Sequence, residues 1–235
     1  MKTELISKLG KCALQSLIAF AILIQMCSLQ TYAQSGDQVT ETDGNVTRLI
    51  GGLLAIVGES QEGVEIQLHG SCVIPDSEVI VVPTVLWEDV NNEGDRAAII
   101  RAALRDNKHL SVVRVSPNVI VVRDAAVAQG LLETKIDSLS LSELEQYSPE
   151  AAIMAAIHSK AIQIALRQLH MRQAVSGGGL MHVNASGEPH LGRHLRNVTL
   201  SGALSSVLET FGGLVVYEDC VDSQGERRFL IHYYK

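Results

Sequence analysis

Aromatic side chains are scarce in this chain, 4% of 235 residues with a single tryptophan. That scarcity counts against a groove that holds sugars or bases by stacking. An excess of positive charge is missing too: 19 Lys+Arg stand against 26 Asp+Glu, a formal net charge of −7. A nucleic-acid binder needs a cationic surface to neutralise phosphate, so that partner class is not expected. The sequence also has no G-x-S-x-G, H-E-x-x-H or C-x-x-C pattern, the compact signatures of esterases, zinc peptidases and thiol oxidoreductases. Apolar residues, by contrast, make up 46% of the chain. That is enough to build a core and excludes a disordered polymer.

The first 33 residues read as an address rather than as part of the fold. Lys2, Lys8 and Lys11 precede an apolar run, and "TYA" ends at Ala33 with small residues where a signal peptidase reads them. Cleavage before Gln34 would release a more acidic mature chain into the periplasm or the medium. The alternative is an anchor through the uncleaved segment, which is almost long enough to span a bilayer. Beyond it, charges interrupt every apolar run too early for a span, so the mature chain is not expected to cross a membrane.

Cleavage also removes Cys12 and Cys27, leaving Cys72 and Cys220. Two cysteines in an exported chain most often form one disulfide. A Cys72–Cys220 bridge would close a loop of about 150 residues, worth roughly 4–5 kcal/mol by chain entropy.

The remaining sequence alternates helical and extended patterns. Residues 34–44 are polar and aperiodic, a flexible lead-in. Asn45 then caps a helix through Val57, with Leu49, Ile50, Leu53 and Leu54 at helical spacing. In "GVEIQLHG", Val64, Ile66 and Leu68 alternate with Glu65 and Gln67, the period-2 pattern of a strand with one wet face. Asp95 opens a helix through Arg105. "HLSVVRV" and "NVIVVRD", joined by "SPN", form a hairpin. "SLSLSELEQY" reads as a short amphipathic helix. Ser148, Pro149 and Glu150 start a long helix expected to run through residues 149–172, and "SGGG" at 176–179 ends that region.

In the tail, Thr199 caps a helix with Leu200, Ala203, Leu204, Val207, Leu208 and Phe211 on one face. Gly212 and Gly213 stop it, and "LVVYEDC" and "RRFLIHYY" follow as strands around a polar turn. This stretch resembles the second half of the secretin/TonB short N-terminal domain, through Val198, Leu200, Ala203, Leu204, Leu208, Gly213, Tyr217 and Ile231. The resemblance covers about forty residues. It implies a small βαβ-type module that interacts and signals without catalytic residues, in a bacterial envelope protein. Cys220 and the longer polar turn depart from that pattern.

The expected fold is therefore α+β, with small βαβ or βαββ modules around a long central helix. Its divisions fall at residues 1–33, 34–44, 45–147, 148–179 and 180–235.

Chemistry-bearing residues are few. His182, His190 and His194 crowd one region, but Pro189 and Gly192 argue against a helix there. A strand would set His190 and His194 about 13 Å apart, so no metal site is expected. The acidic stretch 89–95 lacks the spacing and final bidentate Glu of an EF-hand. His69, Ser71 and Cys72 lie together, yet neighbours along a strand point to opposite faces. No cofactor is expected.

The leading expectation is a non-catalytic envelope protein that binds a protein partner through a strand edge, with Phe229, Ile231 and Tyr233 as candidate contacts. Its oligomeric state is not readable. One alternative is a small hydrolase built from Ser71 or Cys72 with His182 or His190. Another is a carrier of apolar ligands.

Overall fold

A computed structural model describes residues 39–58, 62–74, 77–80, 83, 85–87, 94–174, 189–222 and 225–235. The signal segment, its flanking cysteines and the glycine run 176–179 lie outside them. By its contacts Val46–Lys235 is one compact unit, distinct from Met1–Asn45. The fold is α+β, built on a mixed sheet with helices on both faces.

The elements run in this order: α1 (Val39–Val57), β1 (Gly63–Ile74), β2 (Ser77–Ile80), α2 (Arg96–Ala103), β3 (Leu110–Ser116) and β4 (Val119–Asp124). Then come α3 (Gln129–Leu132), β5 (Lys135–Ser140), α4 (Glu143–Tyr147), α5 (Pro149–Ile157), α6 (Lys160–Gln168) and β6 (Met171–Gln173). Last are β7 (His194–Thr199), α7 (Leu200–Phe211), β8 (Gly213–Asp222) and β9 (Arg227–Tyr234).

The main sheet has the order β3-β4-β1-β8-β9-β6, with β2 folding back on the far end of β1. Strands β4, β1 and β8 are mutually parallel. The β3–β4 and β8–β9 pairs are antiparallel hairpins.

Alternation along the parallel strands divides the core in two. Val64, Ile66, Leu68, Ile120, Val122, Leu214 and Val216 face α1 and α2. Val119, Val121, Val215 and Tyr217 face the other helices. There Leu208 of α7 sits so close to β1 that a Cβ at Gly63 would lie 2.6 Å from it. Gly213 has φ +83°, and a Cβ there would meet the Tyr234 carbonyl at 2.6 Å, so the turn from α7 into β8 requires glycine.

Four expectations change. The first helix starts at Val39, so residues 39–44 of the expected lead-in are helical and Asn45 lies inside the helix. The helix expected over 149–172 is two helices, because Ser159 stops the first and caps the second, accepting the Ile162 amide at 3.5 Å. "SLSLSELEQY" divides into strand β5 and helix α4, the latter started by a capping box between Ser142 and Glu145. The tail shares its sheet with the N-terminal region: β8 lies between β1 and β9, while β7 pairs with β5 in a separate two-stranded sheet. The hairpin of β3 and β4 and the Thr199-capped helix are as expected. No helix among the described residues is long and apolar enough to cross a membrane.

Candidate functional site

Because β4, β1 and β8 are parallel, they end on the same side of the sheet, the place where open α/β sheets offer ligand sites. Register sets the odd-numbered residues of β1 beside those of its neighbours: Gln67 lies between Arg123 and Tyr217, and His69 opposite Asp219. On the face beneath α3 to α7 this makes a polar patch inside the molecule.

Glu65 and Gln67 were expected on a wet face, but both are fully buried. The pattern of alternation is right; the solvent is replaced by a second helical layer.

Gln67 links two charged groups. Its Nε2 donates to Glu65 Oε1 at 2.6 Å, and its Oε1 accepts from Arg123 Nε at 3.0 Å and Gln129 Nε2 at 3.4 Å. Burial pushes the Glu65 carboxyl up to about 7, against the opposing pull of the Gln67 hydrogen bond and the Arg123 charge. Among the described residues, Glu65 Oε2 and the Tyr217 hydroxyl have no hydrogen-bond partner. Burial, then the nearby Asp219 charge, raises the Tyr217 phenol well above its ordinary value.

One step toward the strand ends, Asp219 Oδ1 lies 2.5 Å from His69 Nδ1. Its other oxygen accepts the Ala128 amide at 3.2 Å and faces Arg227 Nη2 at 3.8 Å. The loop from β4 to α3 therefore reaches across β1 to fasten β8. Asp219 is buried and His69 only partly so. The carboxylate orients the imidazole through Nδ1 and leaves Nε2 as the ring's other functional atom, an arrangement suited to general-base chemistry.

The other nominated residues are dispersed. Cys220 is buried and disulfide-bonded. It stands opposite Gly70, and Cys72 opposite Asp222, two residues further along β1. The side chains of Ser71 and Cys72, and His182, lie outside the described residues. His190 stacks on Tyr147 at 5.1 Å, and His194 Nδ1 lies 3.2 Å from Ser140 Oγ. Asp95 caps α2 and pairs with Arg114 at 2.7 Å. Among the described residues no group of three or more His, Cys, Asp or Glu could hold a metal.

Phe229 and Tyr233 are buried in the core and Ile231 packs against it. The outer side of β9 pairs with β6 over residues 227–229.

At the opposite edge of the sheet, β3 exposes its side chains in alternation, with Val113 and Val115 each 52% accessible. Among the described residues no strand pairs with its outer side. The Ala125 amide donates to the His109 carbonyl, so odd-numbered residues bond to β4 and even-numbered ones point their backbone outward. The Leu110 amide is satisfied by the Asn107 carbonyl, and Arg101 Nη2 donates to the Val112 carbonyl at 3.1 Å.

Sequence reasoning reached neither the His69–Asp219 pair nor this edge. The signal for the first was two acids and a histidine at odd positions of strands that only the parallel register brings together. No family model matches the chain, and comparison with curated proteins and with solved structures returns no match.

Proposed function

We propose that the chain is an exported, non-catalytic binding protein of the bacterial envelope, serving secretion or uptake, which takes an added strand on the free edge of its sheet. The observation that carries this is β3, an edge strand with outward backbone groups and two half-exposed valines. The candidate contacts on β9 give way to β3 in this reading, because their side chains belong to the core. Export is supported by the signal-like segment before Gln34 and by the disulfide at Cys220, whose partner we assign to Cys72 as the other cysteine left after cleavage.

Photo-crosslinking in intact cells tests the reading. A photoreactive residue at Ser111 should yield adducts, either with an envelope protein identified by mass spectrometry or with the chain itself. The same residue at Lys160, exposed on α6, should not. Equal adducts from both positions, or none from Ser111, would overturn it.

A second reading, hydrolysis, is favoured by the His69–Asp219 pair alone. It requires that His69→Gln abolish turnover of a simple activated ester. Turnover equal to the parent's, or none in the parent, removes it.

A further inference from the structure

We propose that β3 is a self-pairing edge held shut by Arg101: two copies add β3 to β3, antiparallel, about a two-fold axis through Val113. This rests on the strand-edge reading above and names its occupant.

The even-numbered residues carry the outward amides and carbonyls, so an added strand must bond to Val112 and Arg114. A second copy running antiparallel and centred on Val113 sets Val112 opposite Arg114 of its partner, and the reverse. Four hydrogen bonds then join the copies. Two of them use the Val112 carbonyl, which Arg101 occupies in the single chain.

The side chains suit the same register. Val113 meets its own copy in the close, non-bonded type of pair, and Ser111 meets Val115. Both valines are half exposed on the face that the helices leave uncovered at β3.

Charge does not oppose the pairing. The only charge on β3 is Arg114, already matched by Glu62 at 3.1 Å and Asp95 at 2.7 Å, and it would lie across from Val112. A symmetric dimer with one self-complementary patch is the commonest closed assembly. Native proteins commonly block an exposed edge against pairing, and a single side chain on one carbonyl is a block that can be lifted.

The test is sedimentation of the whole protein at several concentrations. Arg101→Ala should dimerise about tenfold more tightly than the parent, since two blocked carbonyls are released per dimer. Because the chain is acidic, added salt should strengthen the association.

In the Arg101→Ala background, Val113→Glu alone and Val113→Lys alone should each be monomeric, because the axis sets each charge against its own copy. Mixing the two should restore the dimer. Arg101→Ala that associates no better than the parent overturns the inference, as does a mixture that stays monomeric. So does a dimer indifferent to both charges. If self-pairing fails while Ser111 still crosslinks to one identified envelope protein, the occupant is wrong and the docking edge stands.

Discussion

On one face of the central sheet, Val64, Ile66 and Leu68 meet Ile120, Val122, Leu214 and Val216 beneath α1 and α2. On the other, one residue along the same strand, Glu65 and Gln67 are just as deeply buried beneath the remaining helices. The first face is held by apolar area removed from water and asks little of geometry. The second depends on the hydrogen bonds that Gln67 and Asp219 make, leaves Glu65 Oε2 and the Tyr217 hydroxyl without a partner among the described residues, and couples protonation to folding. Equal burial thus supports two different kinds of layer, one that resists solvent and one that responds to it.

Four measurements test that contrast, beginning with the aliphatic face. Ile66→Ala should cost about 3–4 kcal/mol by chemical denaturation, because the cavity lies between sheet and helices with no solvent to fill it. A loss below about 1 kcal/mol would mean that face is loosely packed.

For the polar face the largest effect depends on pH. The folded state holds the Glu65 carboxyl near 7 against an ordinary value of 4.5, so it binds the proton more tightly than the unfolded chain does. That contribution is whole below about pH 4.5 and is lost as pH rises through 7, a decline of about 3 kcal/mol. Glu65→Gln should flatten this slope, leaving stability unchanged at pH 4 and raising it at pH 8. Parallel curves for variant and parent would remove the coupling.

Asp219→Ala should cost about 2 kcal/mol, since the Ala128 amide loses its acceptor while His69 and Arg227 turn to water. Thr199→Ala should cost least, about 1 kcal/mol, by removing the hydroxyl that accepts the Gly202 amide at the start of α7.

What the sequence discloses about this contrast follows from the range of the interactions. The hairpin of β3 and β4 is legible because its turn and both strands lie within sixteen residues of one another, and α7 because cap, apolar stripe and Gly212 are contiguous. The break at Ser159 is not, since serine continues the helical spacing of its neighbours until its hydroxyl caps the Ile162 amide. Strand β5 is missed because Ile136 and Leu139, three apart, suit a helix, and only pairing with β7 decides otherwise.

The polar patch fails for the same reason at greater range. Alternation in β1 says that Glu65 and Gln67 face away from Ile66, but not what covers them. Their cover comes from helices that begin more than sixty residues later, and the Asp219 that fixes His69 lies 150 residues along the chain. The free edge of β3 is the reverse case: "SVVRV" and its turn give the strand and its hairpin partner, and only the strand order puts it outermost.

Strand β8 comes late in the chain yet sits beside β1, one of the first strands made. At typical rates of synthesis roughly 8–30 s separate the emergence of Gly63 from that of Gly213. Throughout that interval the nascent polypeptide lacks both β8 and β9, so β1 is without its second parallel neighbour and β6 without its only one among the described residues. Closure of the sheet therefore waits on its late-made centrepiece.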